Sequence, residues 1–152
     1  QTLVFLRTCY VIYFFDHIDR HGDEVKIIKD IDDILHSQIV KDAIELKKYY
    51  NTLAIICKTQ AEADKFKVLT EKPEYSELFK IVTGNDKVFD AERIMIIPSY
   101  IAKGLEFDAC LIYNSNDDKY SSDSLKLFYV ACTRAMHKLN IYYTHDLTKL
   151  IK

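Results

Sequence analysis

The chain has 152 residues, of which 49% are hydrophobic and 29% are charged, and its net charge at pH 7 is −2. This balance predicts one globular domain with a packed core, and it lacks the basic excess of a domain that holds nucleic acid by bulk charge alone. No apolar run reaches the roughly 18 residues of a membrane span, and the apolar N-terminal stretch lacks the basic leader of a signal peptide, so we expect no membrane contact.

Short apolar runs alternate with amphipathic stretches along the chain. Apolar positions three or four residues apart predict helices, and continuous apolar runs predict buried strands. The predicted helices cover 8–20, 31–50, 60–70 and about 123–136, with a short helix after Asp146. Thr59 and Glu62 have the spacing of a capping box at the start of the third helix. The predicted strands cover 24–29, 53–57, 79–83, 93–97, 109–113 and 139–143, the first of them as a short edge strand.

Strands that alternate with helices predict an α/β fold in which a mainly parallel sheet of about five strands has helices on both faces. In such sheets ligands bind beyond the carboxyl ends of the strands. The loop 98–106 follows the strand at 93–97, so we expect Lys103 and Glu106 at that edge of the sheet. The polar stretch 114–124 is predicted to be a solvated, mobile connector.

The cysteines are far apart, and each lies in an apolar segment: Cys9, Cys57, Cys110 and Cys132. This distribution predicts buried, reduced thiols, as in a cytoplasmic protein. No grouping of His and Cys residues has the spacing of a zinc site, so no metal site is predicted. The chain begins at Gln1 rather than at a Met, which we interpret as a single domain, residues 1–152, taken from a longer protein.

Residues 96–108, IIPSYIAKGLEFD, place polar and flexible residues directly after an apolar strand. Gly104 allows the backbone a positive φ or a close approach to a ligand. Lys103 offers a mobile cation, and Glu106 offers a carboxylate that can bind sugar hydroxyls. Taken alone, the stretch is better explained as an ordinary link between two strands with solvated charges.

Residues 125–139, LKLFYVACTRAMHKL, carry one arginine, Arg134, inside a mostly apolar predicted helix. The small residues Ala131 and Ala135 leave room for it to project into a cleft, and its planar fork suits a phosphate. An arginine aimed at the γ-phosphate of a nucleotide stabilises the charge that develops during phosphoryl transfer. For Arg134 considered alone, a surface ion pair is the favoured interpretation.

Together, in this order and about 25 residues apart, the two stretches resemble the last two conserved motifs of UvrD/Rep-type DNA helicases, the superfamily-one motors. The segments 6–18 and 53–66 are similar to upstream segments of the same family, so the resemblance covers most of the chain. It implies the C-terminal RecA-like motor domain, a three-layer α/β/α domain of the P-loop NTPase type. The phosphate loop itself, G-x-x-x-x-G-K-[ST], does not occur in the sequence, so this chain alone should not hydrolyse ATP.

The resemblance implies ATP as the cofactor, with Mg²⁺ held mainly by a separate N-terminal RecA-like domain. Arg134 and, through a looser match, Arg7 would be the catalytic residues that contact the γ-phosphate. Gly104 and Glu106 would complete the nucleotide site, with Glu106 on the ribose.

The resemblance also implies that Ser99, Tyr100 and Lys103 face nucleic acid. Only 35 residues separate Cys57 from Arg93, too few for the large extra domain that UvrD and Rep insert there. The layout is therefore more similar to the HelD-like branch, whose members act on stalled RNA polymerase as well as on nucleic acid.

The leading hypothesis is the C-terminal motor domain of an ATP-dependent DNA helicase or translocase. Such a domain completes the ATP site of a separate first domain and couples hydrolysis to movement along single- or double-stranded DNA. Two other classes remain open at this point. One is a non-catalytic RecA-like module that docks to RNA polymerase or another protein, and the other is a flavodoxin-like regulatory domain that binds a small cofactor by itself.

Overall fold

A computed structural model of the chain describes residues 25–75, 77–84 and 90–144. In this part of the chain six strands form one sheet in the order β1-β6-β5-β2-β4-β3, and every pairing is parallel. The strands are β1 (Lys26–Lys29), β2 (Leu53–Cys57), β3 (Phe79–Ile81), β4 (Ile94–Pro98), β5 (Phe107–Asn114) and β6 (Ala135–Tyr143). The helices are α1 (Asp32–Lys47), α2 (Gln60–Leu69), α3 (Ser99–Ala102) and α4 (Leu125–Cys132), with 3-10 turns at Pro73–Tyr75 and Ser122–Ser124.

The predicted α/β fold with a parallel sheet is confirmed. The sheet has six strands rather than about five, because the short strand β1 pairs with β6 along its whole length. All five residues of β2 and all five of β4 are buried. A strand covered on both faces cannot alternate polar and apolar residues, which is why these two strands appear in the sequence as continuous apolar runs.

Helices cover both faces of the sheet and divide the core into two clusters. Helices α1 and α2 cover one face, where the buried side chains include Leu35, Ile39, Ala63, Phe66 and Tyr142. Helices α3 and α4 cover the other face, where the buried side chains include Ala102, Phe107, Phe128, Ala131 and Ile141. The second layer carries both sequence motifs, so the packing of α3 and α4 positions the candidate site.

Local sequence accounts for the starts of α1 and α2. Asp32 and Asp33 lie in the first turn of α1, where negative charge stabilises the helix dipole. Thr59 caps α2, since its Oγ1 accepts a hydrogen bond of 3.3 Å from the backbone N–H of Glu62. The cap predicted at Thr59 is thus confirmed.

Helix α1 is also fastened to the sheet by a polar cluster that the sequence did not predict. The hydroxyl of Tyr113 on β5 donates a hydrogen bond of 2.5 Å to Asp32 Oδ1, and His36 Nε2 lies 2.7 Å from the same hydroxyl. Burial, together with the hydrogen bond to Asp32, raises the pKa of the Tyr113 phenol. The hydroxyl therefore stays protonated and keeps its hydrogen for Asp32.

The helix predicted at about 123–136 is wrong at its C-terminal end. Helix α4 ends at Cys132, and Arg134 lies in the turn before β6 rather than inside the helix. The reason is a tertiary hydrogen bond of 2.9 Å from the backbone N–H of Phe107 to the carbonyl of Arg134. This bond brings residue 134 to the sheet, so β6 begins at Ala135 instead of at residue 139.

The connector 114–124, predicted to be mobile and solvated, is anchored at both ends. Asn114 and Tyr120 are buried, and Asn114 Oδ1 accepts a hydrogen bond of 2.8 Å from the N–H of Tyr120. The three described cysteines agree with the sequence prediction: Cys57, Cys110 and Cys132 are free and buried. Burial raises the pKa of each of these thiols, so they stay protonated.

No helix in the described ranges combines the length and the apolar character that crossing a membrane requires. The predicted helix 8–20, the candidate residue Arg7 and the short helix after Asp146 all lie outside the described residues.

Candidate nucleotide site

Arg134 is held by three hydrogen bonds from its guanidinium group. Nε donates to the carbonyl of Val130 at 3.1 Å, Nη1 donates to the carbonyl of Leu105 at 3.3 Å, and Nη2 donates to Thr133 Oγ1 at 3.0 Å. These bonds give the side chain a defined orientation. The residue is partly exposed. A guanidinium carries five N–H groups, so these bonds leave one N–H on each terminal nitrogen for a ligand.

The arginine lies directly beside Glu106. Its Nη1 bonds to Leu105, and its carbonyl accepts from the N–H of Phe107, so Arg134 is bonded to both residues that flank Glu106 in the sequence. Glu106 and Gly104 are exposed next to it. The two motifs, about 25 residues apart in the sequence, thus meet at one place on the surface.

This place is the amino edge of the sheet, not the carboxyl edge that we predicted. Phe107 and Ala135 are paired at the starts of β5 and β6, and Glu106 and Arg134 immediately precede them. The prediction was wrong because residues 99–106 do not form a loop at one edge. They begin at the carboxyl end of β4 and include α3. The segment then crosses the face of the sheet, where Ile101, Ala102 and Leu105 pack against the core, and reaches the opposite edge.

Gly104 has the positive φ that the sequence suggested, +89°. Within the described part of the chain nothing lies within 4 Å of the position that a Cβ atom would take there, so the conformation favours glycine. Lys103, just before it, is exposed.

Replacing Gly104 by alanine should therefore destabilise the chain by about 1–2 kcal/mol, the cost of a left-handed conformation for a residue with a Cβ. The measurement is the free energy of unfolding in urea. Gly84→Ala is the matched control, because Gly84 is exposed, has no positive φ, and its added Cβ would meet only the Tyr100 hydroxyl at 3.4 Å. Equal destabilisation by the two substitutions would show that the backbone at Gly104 is not strained.

At the carboxyl edge, Ser99 and Tyr100 differ in what they offer a ligand. Ser99 is fully buried, and its Oγ donates a hydrogen bond of 2.5 Å to the carbonyl of Lys58. Its side chain thus joins the ends of β4 and β2 and is not available to nucleic acid. The ring of Tyr100 is 55% exposed, and its hydroxyl lies 3.5 Å from Gln60 Oε1.

The same edge contains an ion pair that sequence reasoning missed. Lys58 Nζ lies 3.0 Å from Asp118 Oδ1, and Thr59 Oγ1 donates to Asp118 Oδ2 at 3.0 Å. Partial burial opposes ionisation of Asp118, but the hydrogen bonds from Lys58 and Thr59 and the positive charges of Lys58 and Lys65 outweigh it and lower the pKa of this carboxyl. The ion pair holds the connector 114–124 against the end of β2.

Among the residues that the structure describes, no three His, Cys, Asp or Glu side chains gather as a metal-ligand set. Arg7, the other predicted γ-phosphate contact, lies outside the described residues, so its role stays a prediction.

Three comparisons with known proteins bear on the chain as a whole. The family model of the UvrD-like helicase C-terminal domain matches residues 45–146. A Mycoplasma genitalium protein named "Probable DNA helicase II homolog" is 37% identical over 99 aligned positions, and the match covers 50% of this chain and 14% of that relative. The solved structure of the C-terminal domain of a possible DNA helicase from Lactobacillus plantarum has a TM-score of 0.69 and 28% identity, and the match covers 93% of this chain and 88% of that one.

The range matched by the family model includes α2, the strands β2 to β6 and both motifs. The chain spans only about a seventh of the length of the curated relative that it matches. None of these comparisons separates the HelD-like branch from others, so that part of the resemblance stays a prediction.

Proposed function

Because the chain belongs to the UvrD-like helicase C-terminal domain family, we propose that it is the second motor domain of an ATP-dependent DNA helicase or translocase. In this proposal residues 1–152 form one domain that closes over ATP bound by a separate first motor domain. The complete protein then works in the cytoplasm, where ATP and DNA are both present.

One observation carries the proposal: Arg134 is bonded to both neighbours of Glu106 and keeps an N–H on each terminal nitrogen. Two parallel N–H groups on a planar fork match two oxygens of a phosphate. We propose that Arg134 contacts the γ-phosphate and that Glu106 accepts hydrogen bonds from the ribose hydroxyls. Gly104 is exposed and has no side chain, so it adds no bulk two residues before Glu106.

ATP supplies the free energy of phosphoryl transfer, and the chain supplies charge and positioning. A fixed arginine stabilises negative charge on the transferred group without reorganising at the moment of reaction. Because only the ATP state offers a γ-phosphate, Arg134 distinguishes it from the ADP state, and the domain closes in one state and opens in the other.

The segment 99–106 gives this closure a route to nucleic acid. It joins the amino edge, where Leu105 is bonded to Arg134, to the carboxyl edge, where Ser99 is bonded to Lys58. We propose that Tyr100 contacts a base at the carboxyl edge through its exposed ring, and that Lys103 contacts the phosphate backbone. Ser99 fixes the end of the segment rather than touching the ligand.

The test is ATP hydrolysis by the complete protein, measured with and without a single-stranded thymidine oligonucleotide. We expect hydrolysis that the oligonucleotide stimulates severalfold. Dextran sulfate, a polyanion without bases, is the control and should not stimulate it. If the complete protein does not hydrolyse ATP under either condition, the motor proposal is wrong, and the chain acts as a binding module.

A further inference from the structure

The hydroxyl of Thr133 has a fixed arrangement of donor and acceptor. Its Oγ1 donates to the carbonyl of Val130 at 2.7 Å, which uses its only hydrogen. Its lone pair must therefore be what accepts the hydrogen bond from Arg134 Nη2 at 3.0 Å. The hydroxyl cannot rotate away from the arginine without giving up the bond to Val130.

The three acceptors around Arg134 come from two parts of the chain. Val130 lies in the last turn of α4 and Thr133 directly follows the helix, whereas Leu105 belongs to the segment 99–106. Each of the three guanidinium nitrogens has one of these acceptors. The three bonds together restrain rotation and tilting of the guanidinium plane. Val130 and Leu105 accept through backbone carbonyls, and Thr133 accepts through its side-chain hydroxyl.

We infer that Thr133 is a positioning residue, which holds the guanidinium of Arg134 in the orientation that presents its two remaining N–H groups to the γ-phosphate. The inference rests on the proposed function, because it takes Arg134 as the phosphate contact. Its physical basis is preorganisation: a donor that is already oriented spends no interaction energy on ordering itself when the charge develops. Without the Thr133 acceptor, Nη2 loses its partner and can hydrogen-bond to water instead. The guanidinium plane then samples several orientations.

The first test uses the complete protein and two substitutions of similar size. Thr133→Val replaces the hydroxyl by a methyl group and should lower kcat for ATP hydrolysis by about tenfold, the effect of one lost hydrogen bond to a charged group. Thr133→Ser keeps the hydroxyl and should retain most of the wild-type kcat. Equal losses in the two variants would overturn the inference, since they would indicate a packing defect.

A double-mutant cycle separates positioning from a general structural role. If Thr133 acts through Arg134, then adding Thr133→Val to Arg134→Ala should cause no further loss of kcat. A further tenfold loss in that background would overturn the inference. If Arg134→Ala alone leaves kcat unchanged, the proposed function fails, and that outcome is distinct from a failure of the inference.

A second measurement on the chain does not depend on hydrolysis. The Nη2–H hydrogens of Arg134, followed by NMR, should exchange with water more slowly than those of unrestrained arginines, because Thr133 accepts a hydrogen bond from Nη2. The exchange should become severalfold faster in Thr133→Val and stay near the wild-type rate in Thr133→Ser. An unchanged rate in Thr133→Val would show that Thr133 does not restrain the guanidinium, and the inference would be wrong.

Discussion

Replacing Arg134 by alanine in the complete protein should lower kcat for DNA-stimulated ATP hydrolysis by at least about a hundredfold. The loss of one oriented donor to a transition-state oxyanion costs about that much, and arginine fingers of phosphoryl-transfer enzymes contribute more. The guanidinium is bonded to the carbonyl of Leu105, which precedes Glu106, and its bonds within the described part of the chain leave one N–H on each terminal nitrogen. The measurement is kcat at saturating ATP and oligonucleotide.

Arg93→Ala is the matched control, because the guanidinium of Arg93 pairs with Asp90, three residues away in the sequence, with Nε 3.5 Å from Asp90 Oδ2. An ion pair of this exposed kind contributes at most about 1 kcal/mol to stability, and its loss should leave kcat near the wild-type value. Arg134 also hydrogen-bonds a carbonyl at the end of α4, so the unfolding free energy of both variants should be measured. A kcat for Arg134→Ala within a few-fold of that for Arg93→Ala would contradict the account.

Replacing Phe128 by alanine should destabilise the chain by about 3–5 kcal/mol, the usual range for removing a fully buried phenylalanine. Phe128 is on the inner face of α4, is 0% exposed, and its ring centre lies 5.1 Å from that of Tyr120. Removing it leaves a cavity beneath the helix whose C-terminal end positions Arg134. The measurement is the free energy of unfolding in urea, compared with that of the wild-type chain.

The neighbouring substitution Tyr129→Ala is the control for this prediction. It removes a ring of similar size from the same helix, but Tyr129 is 41% exposed, and partial exposure predicts a much smaller loss than that at Phe128. If the two substitutions destabilise the chain equally, the orientation of α4 on the sheet differs from that described here.

The central strands could be predicted from the sequence because a strand buried on both faces consists of consecutive apolar residues. β2 and β4 are uninterrupted apolar runs, and Thr59 marks the start of α2 with a cap that the structure contains. The pairing of β1 was harder to predict, since a four-residue strand of two lysines and two isoleucines carries little periodicity. Its place in the sheet depends on β6, more than a hundred residues away.

The course of residues 99–106 could not be predicted, because local sequence does not say which edge of a sheet a segment reaches. Apolar packing of Ile101, Ala102 and Leu105 against the sheet directs the segment across the face. Likewise, the tertiary bond between Phe107 and Arg134 ends α4 early. The sequence therefore singled out Gly104, Glu106 and Arg134 as candidates, and only the structure shows that they meet at the amino edge.

The ion pair between Lys58 and Asp118 at the carboxyl edge was missed for a related reason. Lys58 and Asp118 are 60 residues apart, and each by itself is an ordinary charged residue in a polar stretch. A lysine directly after a buried strand was the only signal available. Ser99 illustrates the opposite error: its position in the motif suggested a ligand contact, whereas its hydroxyl is buried against Lys58.

The measurement that tests the central claim most directly is the affinity of the complete protein for a non-hydrolysable ATP analogue relative to ADP, by titration calorimetry. If Arg134 contacts the γ-phosphate, the wild-type protein should prefer the analogue by at least about tenfold, as expected for hydrogen bonds to a charged group. Arg134→Ala should lose that preference while its affinity for ADP stays unchanged. The same preference in both proteins would show that Arg134 does not contact the γ-phosphate, and the account would be wrong.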